Sequence, residues 1–239
     1  MPFLPIGDNN PRILIDKPIV TWSIIGFCFG IFFYQIQMDT QSSHSFALGL
    51  GLIPAVLTGS AELRSDLALV PDWLTVVTSM FLHGGFGHLI GNMLFLGIFG
   101  DNIEDAMGHG RFIAFYLICG VAAALAHVVI APAATTPMIG ASGAVAGVLG
   151  AYLILHPRAW ITILLGIFPL VLPAWLLLGG WFLLQFWSAL DGGGGVAWWA
   201  HVGGFIAGVL LIGRFKRHSL PFSAGRRPPK GVRLKRRRK

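Results

Sequence analysis

"MIGASGAVAGVLGAYLIL", residues 138–155, decides how this chain is read. It is almost wholly apolar and close to the ~20 residues that a bilayer-spanning helix needs. Gly143, Gly147 and Gly150 fall at i, i+4 and i+7, one stripe along a helix. Such a stripe lets a second backbone come close. Ser142 borders it, in the first turn after Pro137. A serine in an apolar helix usually bonds its own backbone, so the hydroxyl acquires meaning only from what faces it. The stretch stops at "HPR" (156–158), a helix-end signal.

The remainder of the chain has the same character. Its 239 residues are 55% hydrophobic and 11% charged, against about 25% charged in a soluble domain. The composition indicates an integral membrane protein. Six apolar stretches lie near 19–37, 80–100, 112–131, 138–155, 160–188 and 197–213. The fold expected is an all-α membrane protein of six transmembrane helices. The fifth stretch is too long for one straight span, and Pro169 and Pro173 should break it, leaving about 171–188 as helix. Between the first two spans, the piece "FALGLGLIPAVLTG" (46–59) is too short and too rich in Gly and Pro to cross. It is expected as a membrane-associated loop.

Charge sets an orientation. Twelve of the 17 Lys and Arg residues lie from Arg214 onward. With six spans, that tail shares one side with Arg12, Lys17, Arg111 and Arg158, and only Arg64 lies opposite. Both termini are therefore expected in the cytoplasm. A basic tail can bind nucleic acid, but directly after an apolar helix it reads as a lipid anchor. The expected divisions are 1–18, a cytoplasmic N-terminal segment; 19–213, a six-span domain; and 214–239, a basic, disordered cytoplasmic tail. There is no cleavable signal peptide pattern. Cys28 and Cys119 sit in apolar runs as small buried hydrophobes.

Polar side chains inside spans need reasons. In "FLHGGFGHLIGNML" (81–94), His88 and Asn92 are four apart and share a helix face. Asn and His often bridge neighbouring helices, yet together they also make a pair of hydrogen-bond donors. His83, at the start of the stretch, reads as interfacial. In "WWAHVGGFIAGVLL" (198–211), His201, Gly204 and Gly208 form a second stripe, with Gly204 and Gly208 a GxxxG pair. Two glycine-striped helices suit each other, and packing them would bring Ser142 within reach of His201, the arrangement that activates a hydroxyl nucleophile.

Other chemistries fit less well. There is no HExxH for a zinc protease. "GIFGD" (97–101) has no second buried Asp to make an aspartyl pair, and His109 and His127 have no carboxylate well inside a span to accompany them. A rival reading survives, in which the His and Asn residues line a path for binding or transport.

"GASG" at Ser142, "HLIGN" at His88 and Asn92, and "AHVGGFIAG" at His201 together resemble the signatures of the rhomboid intramembrane serine proteases, across about residues 1–213. The resemblance implies a Ser142–His201 dyad without an Asp, in a water-accessible cavity opening to the extracytoplasmic side. His88, Asn92 and the Ser142 backbone N–H would form the oxyanion hole, and no metal or cofactor is needed. Substrates would be transmembrane segments of other proteins in the bilayer, entering beside the fifth span with its Trp181, Phe182 and Phe186. Many members carry an aromatic four residues after the serine. Here that residue is Ala146, so another group must support the His201 ring. A bare six-span chain fits a bacterial inner membrane.

Overall fold

A computed structural model describes residues 4–191 and 195–217. The order is β1 (Leu4–Asp8), α1 (Ile19–Gln35), α2 (Thr40–Leu50), α3 (Pro54–Leu57), α4 (Thr75–Thr78), α5 (Phe86–Phe95), α6 (Asp101–Met107), α7 (His109–Ile130), α8 (Ser142–Leu155), β2 (Trp160–Leu165), β3 (Phe168–Pro173), α9 (Ala174–Asp191) and α10 (Trp198–Phe215). A π-helical turn, Leu96–Gly100, joins α5 to α6. The chain is mostly helical. Among the described residues α7 and α10 are long and apolar enough to cross a membrane. Asp72–Phe81 with Phe86–Met107 makes a third candidate, bent by 81°. Helices α1 and α8 are apolar but shorter. The divisions expected at 1–18 and 214–239 fall partly outside the described residues, and residues 218–239 of the tail lie wholly outside them.

Helix α8 is the centre. All its residues from Gly143 to Tyr152 are buried, as befits a helix that is apolar all round. It begins later than the apolar run does. Gly140 takes φ +124 and donates its N–H to Ser79 O at 2.9 Å, so regular helix starts only at Ser142. Fourteen residues give a helix about 21 Å long, short of the ~30 Å hydrocarbon core.

Glycines set how closely α7, α8 and α10 approach. A Cβ added at Gly204 would lie 2.0 Å from the carbonyl oxygen of Gly143, and one at Gly208 1.9 Å from that of Gly147. On the other flank of α8, a Cβ at Gly143 would lie 2.6 Å from Ala123 Cβ of α7. Any side chain there would have to push two helices apart.

The fifth apolar stretch corrects the all-α expectation. Residues 160–173 are not helix but a β-hairpin, and α9 starts at Ala174 rather than near 171. Gly166, at φ +64, opens a two-residue turn between Leu165 and Phe168, the position where such hairpins want positive φ. Leu165 and Phe168 form the first pair of the ladder. Pairs alternate between bonded and non-bonded, so Pro169 and Pro173 fall where a missing N–H breaks no ladder bond. β2 also pairs antiparallel with β1, giving the sheet order β1-β2-β3.

Carboxylates, two of them fully buried, fasten the N-terminal residues to this framework. Glu104 accepts from Val20 N (3.0 Å), Thr21 N (2.8 Å) and the Thr21 hydroxyl (2.7 Å), placing negative charge at the N-terminus of α1. Asp105 accepts from the N–H groups of Ile13, Leu14 and Ile15 at 3.1, 2.6 and 2.7 Å. Asp8 accepts from the Tyr152 hydroxyl and from Asn102 Nδ2 (3.1 Å). Burial pushes its carboxyl up to about 6, partly offset by the Tyr152 bond.

The connection from α1 to α5 is short helices rather than a crossing. Asp39 caps α2 by accepting from Ser42 N at 2.9 Å. Leu52 and Met138 exchange backbone bonds of 3.0 and 2.7 Å, tying this connection to the segment that leads into α8.

Candidate active site

Ser142 is the first residue of α8 and His201 lies in the first turn of α10. The glycine contacts hold these two helix starts together, and His201 Nε2 stands 2.8 Å from Ser142 Oγ. The imidazole is 6% exposed. Its other nitrogen, Nδ1, is 2.7 Å from Gln185 Oε1 on α9. An amide oxygen only accepts, so Nδ1 carries the proton and donates it there. Nε2 then has a free lone pair to accept from the Ser142 hydroxyl. The arrangement is a hydroxyl already bonded to a base.

The His201 ring is packed by tryptophans. Trp181 lies tilted against it with ring centroids 6.0 Å apart, and Trp198 meets it edge-on at 5.9 Å. Ala146 is itself fully buried. Trp181 is 3% exposed, so it faces inward and not toward the outer surface of α9. Phe182 stacks on Phe205 at 4.5 Å, and Phe186 touches Trp199 edge-on at 6.1 Å.

His88 and Asn92 meet the serine helix at the loop just before it. A Cβ built on Gly140 would lie 2.7 Å from His88 Cε1 and Nε2, and 3.8 Å from Asn92 Nδ2. Position 140 must therefore be glycine twice over, for its positive φ and for the ring beside it. Gly84 N–H donates to His88 Nδ1 at 3.4 Å, which leaves Nε2 as the N–H donor on the side of Gly140. Asn92 Nδ2 also donates to His88 O at 3.0 Å along its own helix. The N–H groups of Ser142 and Gly143, at the start of α8, have no acceptor within that helix and carry its positive end.

Two other histidines also have defined surroundings. His83 is fully buried, with its ring edge-on to His88 at 5.3 Å. His109 pairs with Glu104, Nδ1 to Oε1 at 2.5 Å. Gln185 was missed altogether, although a lone amide in the apolar run "LLLGGWFLLQFW" (176–187) is the signal that singles out buried polar groups.

A family model described as "Rhomboid domain" matches residues 70–217. Among curated relatives, "Rhomboid protease GluP" of Bacillus subtilis is 32% identical over 137 residues, covering 57% of this chain and 24% of that protein. "Rhomboid protein 1, mitochondrial" of Saccharomyces cerevisiae is 34% identical over 160 residues, 62% of this chain and 44% of that one. "Rhomboid protease AarA" of Providencia stuartii is 28% identical over 121 residues, 49% and 39%. The matched region thus spans less than half of each of these relatives.

Proposed function

Because this chain belongs to the rhomboid domain family, we propose that it is an intramembrane serine endopeptidase, cutting peptide bonds in or near the transmembrane segments of other membrane proteins. The observation that carries this reading is the 2.8 Å approach of His201 Nε2 to Ser142 Oγ, between two helices that glycines hold together.

In the proposed reaction Ser142 Oγ attacks the scissile carbonyl while its proton passes to His201 Nε2. The carbonyl oxygen becomes negative at the start of α8. There the Ser142 N–H, His88 Nε2 and Asn92 Nδ2 are the candidate donors, aided by the positive end of the helix. The imidazolium then gives its proton to the leaving amine, freeing it and leaving an acyl-enzyme on Ser142. A water, deprotonated by the same imidazole, attacks the acyl carbon; the C–Oγ bond then breaks, the imidazolium returns its proton to Ser142 Oγ, and the new carboxylic acid leaves. These groups and water suffice, with no cofactor. Since α8 is shorter than the bilayer core, its first residue lies below the outer face if its other end is at the inner one. That supports a cavity open to the extracytoplasmic side.

The same proposal takes residues 19–213 as the protease domain, built of six apolar segments, with both termini cytoplasmic and the basic tail against anionic lipid. A bacterial inner membrane fits this design. The test is labelling by a fluorophosphonate together with cleavage of a transmembrane substrate by the purified protein. Wild type should show both, and Ser142→Ala neither. A path for transport has no activated hydroxyl, so an unlabelled wild type, or cleavage undiminished in Ser142→Ala, would refute the proposal.

A further inference from the structure

We propose that Gln185 is a positioning residue for His201, a third group that fixes which ring nitrogen bears the proton. The inference rests on the proposed protease reading and deepens it.

α9 is apolar along most of its length, and Gln185 is 4% exposed within it. A buried amide is unfavourable unless its polar atoms are bonded, so a methionine or leucine would serve packing better. The carbonyl of this amide is aimed at His201 Nδ1, at 2.7 Å. With Trp181 and Trp198 lying against the ring, Oε1 is the acceptor that Nδ1–H is given.

That bond selects a tautomer. With Nδ1–H held by Oε1, Nε2 faces Ser142 Oγ as an acceptor, which a base must be. In the opposite tautomer Nε2–H would point at the serine, and no proton could be taken from it. A wrong tautomer is costly even where geometry is intact. Gln185 does this without charge. A carboxylate in the same place would be an ion inside an apolar helix bundle, expensive before the imidazolium forms. The amide dipole still favours the imidazolium once it exists, since its negative end points at Nδ1. The chain Ser142–His201–Gln185 draws one residue from each of α8, α10 and α9. Its integrity therefore depends on α9 staying seated against α10.

The experiment uses the full-length protein in lipid, with kcat and KM for a transmembrane substrate, fluorophosphonate labelling rates, melting temperature and nitrogen-15 spectra of labelled histidine. Gln185→Leu and Gln185→Met both remove the acceptor at similar volume. Each should lower kcat and labelling rate about ten- to hundredfold, the effect of leaving a buried donor unsatisfied, with KM unchanged. Gln185→Glu keeps an acceptor oxygen at the same reach and should recover most of the lost turnover. In wild type the His201 signals should show a protonated Nδ1 and a bare Nε2, a reading that requires no variant to fold. A wild type with a protonated Nε2 overturns the inference, as do Leu and Met variants that turn over like wild type. So does a loss that follows melting temperature and is not relieved by Glu. If wild-type protein neither cleaves nor labels, the protease reading fails first, and the two failures are thereby distinguished.

Discussion

Gly204→Ala replaces one hydrogen by a methyl group, yet the structure makes it a severe change. The new Cβ would lie 2.0 Å from the carbonyl oxygen of Gly143 and 3.3 Å from Ala123 Cβ. Atoms of this kind rest at about 3.5–4.0 Å, so α10 has to retreat from α8 by roughly 1 Å or more. The backbone of Gly143 is not a flexible side-chain end and cannot swing aside. His201 lies one turn before Gly204 and Ser142 adjoins Gly143, so the displacement is passed straight to their 2.8 Å contact. Lengthened by about 1 Å, that contact is no longer a hydrogen bond, and misplacement on this scale costs about 10²-fold in rate. Overpacking should also destabilise by about 1–3 kcal/mol. Gly179→Ala on α9 is the control, because a Cβ there has nothing within 4 Å. It should leave turnover unchanged and stabilise slightly, as alanine is the better helix former. Turnover of a transmembrane substrate and melting in detergent would be measured for all three proteins. Wild-type turnover in Gly204→Ala would show that the close approach of α8 and α10 does not set the distance between serine and histidine.

Asn92→Ala should slow cleavage about 10²–10³-fold while fluorophosphonate labelling persists, because Ser142 and His201 still meet; loss of labelling with cleavage would argue against an oxyanion role. Asp8 has a carboxyl raised to about 6 by burial, so its contribution to stability is present below the ordinary aspartate range and is lost as pH rises through about 6. Wild type should therefore lose melting temperature between pH 4 and 7 relative to Asp8→Asn, and parallel curves would contradict the assignment. Gly166→Ala meets no atom within 4 Å but inherits φ +64, so it should cost about 1–2 kcal/mol through backbone strain alone; an unchanged melting point would mean that the turn relaxes.

Long apolar runs made most helices legible. The stretches expected near 19–37, 112–131 and 197–213 correspond to α1, α7 and α10 to within a few residues, since in a bilayer length and apolarity are nearly the whole specification. The hairpin was not legible in the same way. A continuous apolar run such as "WITILLGIFPLVLP" suits a buried strand as well as a helix. What separates the two is the β-branched content of 160–165, Gly166 at mid-run and two prolines four residues apart, all weaker signals than the hydrophobicity that masked them. The late start of α8 depends on Gly140, Ser79 and the Leu52–Met138 pairing, contacts between segments far apart in the chain. Of the candidate site, Ser142, His88, Asn92 and His201 stood out because polar groups are rare in such runs. Gln185 passed unnoticed because its meaning lies in a neighbour 16 residues away across a helix pair. The inward placement of Trp181 is not legible either, because bulk alone does not say which side of a helix a ring occupies.

The pairing of β1 with β2 also bears on the order in which the molecule is assembled. Residues 4–8 leave the ribosome early, but their partners do not: Asp8 reaches Tyr152 across 144 residues, and Asn9 reaches Trp160 across 151. Contacts so distant in the chain are slow to form, because a long loop must close before any bond is gained. β1 is therefore made before its partner but cannot be paired until α1, α7, α8 and β2 have been synthesised. Once it is in place, β2 has neighbours on both sides. β1 is thus a clasp that closes across the helices between them, and a nascent chain stalled before residue 160 would lack it.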